Sequence, residues 1–151
     1  MTRAACNNRP AVLLRLPYRD TWYISPGNSY ISTLVHDAGG NYLWSDTNSP
    51  VSLPHSFETV FLKALKADFW LNPGAANSKE EIRAFDDRLE KLPCFVSGNI
   101  YNNTARVTGT GGNDYWESGI VNPHIILRDI SSILHPGIFG DYELFYFRRI
   151  E

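Results

Sequence analysis

The sequence is poor in the residues that announce a chemistry. It has two cysteines, Cys6 and Cys94, too few for a disulfide framework. Charge is nearly balanced, at a formal net of −2, which excludes a generally basic nucleic-acid-binding surface. Arg148-Arg149 is the one arginine pair, and a solvated strand end is its simplest reading. Long apolar runs are missing too. Ala11 to Leu14 is broken by Arg15, too short for a signal-peptide core and far below the roughly 20 residues of a membrane span. The expectation is a soluble protein of a reducing compartment, cytoplasmic or carried in a virion.

What is present is ordinary globular composition with an aromatic excess. Apolar residues make up 43% and charged residues 20%, enough to form a core. At 151 residues one domain is expected, burying roughly 70% of the surface of the unfolded chain. Residues 1–10 read as a loose polar arm. Glycine and asparagine are plentiful and point to turns.

Local patterns predict short strands around one helical hairpin. Ala11 to Ser25 reads as two short strands or one edge strand, interrupted at Pro17. Ile31, Thr33 and Val35 alternate with Ser32, Leu34 and His36, predicting a strand over Tyr30 to Asp37. Ala38-Gly39-Gly40-Asn41 would then be a hairpin turn into Tyr42-Leu43-Trp44. Ser56 to Leu92 carries the helical signal. Phe57, Phe61, Ala64, Leu65 and Trp70 form one stripe, and Ser78-Lys79-Glu80-Glu81 is a capping box before Ile82, Phe85, Leu89 and Leu92. Phe95 to Val107 reads as strand, turn and strand, and Tyr115-Trp116 as a further strand. Val121 to His135 fits either a helix behind Asn122-Pro123 or a strand with one helical turn. Tyr142 to Ile150 is predicted as a strand apolar on both faces. The resulting fold class is α+β: an antiparallel twisted sheet of five to seven strands with one helical hairpin packed on a face.

No catalytic motif emerges, and no pattern calls for a cofactor or a metal. Gly109-Thr110-Gly111-Gly112-Asn113 lacks the following helix that a phosphate loop needs. His36, His55, His124 and His135 share no metal-ligand spacing. Cys94, between Pro93 and Phe95, reads as a buried inert thiol. Asp86-Asp87 is read as a solvated helix face. Asp114 and Glu117 flank Tyr115-Trp116, a composition that suits sugar or small-ligand binding. With the turn-proximal Trp22, these four residues (Trp22, Asp114, Trp116, Glu117) are the candidate partner- or ligand-binding set.

Gly40-Asn41-Tyr42-Leu43-Trp44, Leu53-Pro54-x-x-Phe57 and the two predicted helices through Phe69 and Phe85 resemble, over Gly40 to Leu92, the tail-adaptor (head–tail connector) proteins of tailed bacteriophages. That resemblance implies a β-hairpin projecting from a helical body and assembly into rings. The leading expectation is therefore a non-enzymatic assembly protein, a homo-oligomer or hetero-assembly subunit binding other protein chains. One alternative is a small carbohydrate- or ligand-binding β-rich module. Another is a hydrolase or toxin-like enzyme whose His and Asp residues meet in space, with His36-Asp37 the first pair to test.

Overall fold

The structure is a computed structural model describing residues 10–17, 20–74, 76–107, 112–116, 118–135, 138–140 and 142–150. Its centre is a five-stranded, mostly parallel sheet. The strands are β1 (Ala11–Leu14), β3 (Asn41–Tyr42), β5 (Phe69–Leu71), β6 (Ile100–Asn102) and β7 (Arg148–Arg149), in the order β3-β1-β5-β6-β7. Only β7, paired with β6, is antiparallel. Leu13 lies beside Trp70, and Trp70 beside Ile100, so the middle of the sheet joins three distant parts of the chain. All three are fully buried. Strands covered on both faces are apolar throughout rather than alternating, which is how Val12-Leu13-Leu14 and Phe69-Trp70-Leu71 read.

A second sheet of two antiparallel strands, β2 (Thr21–Ile24) and β4 (Leu53–Ser56), stands beside the first. Trp22 links the two. Its ring is 6.1 Å from that of Trp70 and 5.9 Å from Phe57, and its indole N–H donates to the carbonyl of Leu14.

Six α-helices occur among the described residues: α1 (Tyr30–Asp37), α2 (Phe57–Ala64), α3 (Lys79–Phe85), α4 (Pro93–Ser97), α5 (Ser118–Val121) and α6 (Pro123–Leu134). The Ser78 hydroxyl accepts the Glu81 amide and donates to its carboxylate, so the Ser78 half of the predicted capping box forms and starts α3. Ser56 caps α2 in the same way, through the Thr59 amide.

The α+β expectation is overturned: the architecture is α/β, with strands and helices alternating along the chain. Four local errors produced it. Ile31 and Val35 are two strand steps apart but also one helical turn apart, so both periods fit. Ser29 decides for helix by capping α1 at the Ser32 amide, and the supposed hairpin is a turn from α1 into β3. Trp70 belongs to a central strand, not to the α2 stripe, so the two helices are not a hairpin. Phe95 lies in α4 and Tyr115-Trp116 in a 3-10 turn, where strands were expected. Finally, Tyr142 to Ile150 contributes only Arg148–Arg149 to the sheet. Val121 to His135 resolves as α5 and α6, with Pro123 in the first turn of α6, where its missing N–H costs nothing.

Candidate functional site

In a parallel sheet the carboxyl ends of the strands share one edge, and the loops leaving them can surround a ligand. Here that edge opens into a cleft of about 880 Å³. Arg15 follows β1, Asn72 follows β5 and Asn103 follows β6, and all three line it. The N-terminal turn of α1 adds Ser29, Tyr30 and Ile31. The first helical amides have no partner within their own helix and favour an electronegative group.

The backbone is strained at two of these exits. Arg15 has φ of 70° and Asn72 of 53°, the two non-glycine residues with positive φ among those described. Such conformations cost on the order of 1 kcal/mol each and persist where the surroundings hold them. At Arg15 the restraints are visible: its carbonyl accepts the Trp70 indole N–H, and its guanidinium donates to the Ser52 hydroxyl. The same cation acts on Tyr42, whose hydroxyl donates to the Ser25 carbonyl at the cleft wall. Burial still dominates at Tyr42 and raises its phenol far above the ordinary range.

The floor is amide-rich. Asn102, fully buried, donates to the carbonyls of Gly74 and Ala76 and accepts the Asn103 amide, fixing the loop after β5 against the end of β6. Asn113 donates to the Asn103 carbonyl and accepts the Tyr115 amide. Burial pushes the Tyr115 phenol up to about 12, while hydrogen bonds from Asn72 and Asn103 pull it down. Asn72 Oδ1 is different. Among the described residues it is the buried side-chain polar atom with no partner. An atom in that state costs about 1–3 kcal/mol. The rim is aromatic: Tyr30, Phe85 and Trp116 line the cleft and are each more than half exposed.

Of the sequence candidates among the described residues, Trp116 alone reaches this cleft. Trp22 has no exposed surface and packs as core between the two sheets. Asp114 accepts the Ser118 amide at the start of α5 and does not line the cleft. Glu117, Cys6 and Gly109 to Gly111 lie outside the described residues. His36 and Asp37 are 3.6 Å apart but exposed at the opposite end of α1 from the cleft. Cys94 is buried, and burial pushes its thiol up to about 12, as an inert cysteine requires. Sequence reasoning missed Arg15, Asn72, Asn102 and Asn103. The usable signal was an apolar triplet or quartet ending in Arg or Asn, recurring at Leu14-Arg15 and Leu71-Asn72.

No family model matches the chain. Solved structures share its fold, three of them as follows. A periplasmic solute binding protein from Veillonella parvula superposes with a TM-score of 0.64 at 17% identity, covering 95% of this chain and 44% of its own. An ABC transporter substrate-binding protein from Listeria monocytogenes gives 0.59 at 17% identity, over 89% and 50%. A TroA-like periplasmic binding protein, FepB, from Veillonella parvula gives 0.61 at 14% identity, over 95% and 49%. Among curated proteins, an uncharacterized lipoprotein of Methanocaldococcus jannaschii is 24% identical over 145 residues. The chain spans about a third of that relative and at most half of the three structures.

These likenesses overturn the expectation of a virion assembly subunit bound to other protein chains, because the shared fold is that of solute-binding proteins. The Gly40 to Trp44 segment behind the tail-adaptor resemblance is not a projecting hairpin. It forms the edge strand β3 and a following turn. No helix among the described residues is long and apolar enough to cross a membrane.

Proposed function

We propose that the chain is a ligand-binding lobe of a solute-binding protein, working outside the cytoplasm with an ABC-type transporter. The observation that carries this reading is the cleft at the carboxyl edge of β1, β5 and β6, of a size that suits a small organic solute. The fold likeness supports it, and so does the share of the matched structures that the chain covers, about half of each. A lobe of this kind presents one wall of the binding site, and a second lobe supplies the other. The exposed aromatic rim of Tyr30, Phe85 and Trp116 is then the surface that ligand and second lobe would cover. The lipoprotein relative supports a tethered, extracytoplasmic setting.

The test is a solute library screened by thermal shift and by tryptophan fluorescence on the purified chain. Trp116 is the one tryptophan of the cleft, so a bound solute should quench it. Trp116→Ala should abolish that signal and weaken binding about tenfold while leaving the melting temperature nearly unchanged. Hits that bind Trp116→Ala as well as the parent, or a library without hits, would sink the proposal.

A further inference from the structure

The solute-binding reading says nothing about which solute. Three features of the cleft wall narrow it. First, β1 and β5 are parallel neighbours in register, Leu14 beside Leu71. The next positions, Arg15 and Asn72, therefore leave the sheet side by side, about 5 Å apart at the backbone. Both take a positive φ, and both residues line the cleft. Second, Arg15 carries a charge that no carboxylate answers among the described residues. Its guanidinium donates to the Ser52 hydroxyl at 2.6 Å, and a guanidinium has five N–H donors. Among the described lining residues it is the one charged side chain, with no Asp or Glu to repel an anion. Third, Asn72 lines the same cleft, and its Oδ1 is a buried acceptor without a donor.

We propose that Arg15 and Asn72 form a two-point subsite for an organic acid: Arg15 takes the carboxylate, and Asn72 Oδ1 takes a hydroxyl or amide hydrogen close to it. This inference rests on the solute-binding reading and specifies its ligand. The class is a hydroxy acid or an N-acylated amino acid, with an apolar or aromatic body lying against Trp116 and Tyr30. An acid without the neighbouring donor would leave Asn72 Oδ1 unpartnered. An uncharged analogue would leave Arg15 unanswered. Cations are disfavoured by the same arginine.

Three probes separate the two points: N-acetylphenylalanine, its primary amide, which lacks the carboxylate, and 3-phenylpropionate, which lacks the N–H. Titration of the chain, followed by amide chemical shifts and tryptophan fluorescence, should show the first binding at least tenfold tighter than the other two. Arg15→Asn should bring the acid and its amide to equal affinity. Asn72→Gly should do the same for N-acetylphenylalanine and 3-phenylpropionate. Asparagine and glycine both tolerate positive φ, so these variants keep the strand exits, which circular dichroism and melting check directly. Equal binding of the three probes, or a ratio of acid to amide unchanged by Arg15→Asn, would overturn the subsite. If other solutes quench Trp116 and none of the three probes binds, the subsite fails while the solute-binding reading stands. If nothing binds the cleft, both fall.

Discussion

Asp129 Oδ2 lies 2.6 Å from the amide nitrogen of Tyr146. The same carboxylate, fully buried on α6, also accepts the amides of Phe145 and Phe147 and the hydroxyl of Tyr142. One side chain thus organises the segment leading into β7 in place of a strand ladder. That is why Tyr142 to Phe147, apolar and aromatic enough to read as a strand, is not one. Three of its amides, those of Phe145, Tyr146 and Phe147, are already satisfied by a carboxylate.

Asp129→Ala should therefore cost at least about 3 kcal/mol, since several buried donors lose their acceptor together. Asp129→Asn, which keeps one oxygen, should cost less. Urea denaturation with tryptophan fluorescence measures both, with Asp37→Asn on the exposed end of α1 as control. A loss under about 1 kcal/mol for the alanine variant would show that the carboxylate does not organise this segment.

Asp86 predicts an acid limit. Its carboxylate accepts hydrogen bonds from Arg88 Nε and Nη2, which hold it below the usual carboxylate range. A carboxylate with a lowered folded-state pKa adds stability above its unfolded pKa, and that contribution disappears as pH falls through the folded value. The parent should lose stability from about pH 4 downward. Asp86→Asn should be less stable than the parent at pH 7 and show a shallower acid decline. Parallel acid slopes in the two proteins would remove Asp86 from the account.

The thiol of Cys94 should be silent. In a Cys6→Ser background, a thiol reagent at pH 8 should react slowly with the native protein and fully after denaturation. Fast native reaction would contradict a buried thiol whose pKa is pushed up to about 12.

Ser78→Ala should cost about 1 kcal/mol, because the Glu81 amide loses its cap at the start of α3. Comparing urea midpoints of the variant and the parent is sufficient. This is also the place where the sequence was most legible. A capping box is a local device, and its four residues carry the whole signal. The strands of the sheet offered no equivalent. Phe69–Leu71 is three residues long, and three apolar residues after a helix look like more helix. Parallel pairing adds nothing local either, because the partner of Trp70 is set by residues near positions 13 and 100. The cleft was hidden for the same reason. Arg15, Asn72 and Asn103 become neighbours only after those pairings exist, and none lies in a motif that points to a ligand. Trp116 was found because an aromatic beside turn residues is locally conspicuous.

The pairing of Leu13 with Trp70, and of Trp70 with Ile100, also sets a tempo. Each contact requires closure of a long loop before any ladder hydrogen bond repays the lost entropy. Chains built on such distant pairings fold slowly for their size. Until β5 is inserted, β1 and β6 present bare apolar edges to whatever is nearby, which makes aggregation the main competitor of folding. Refolding yield should accordingly fall with protein concentration long before native stability is affected.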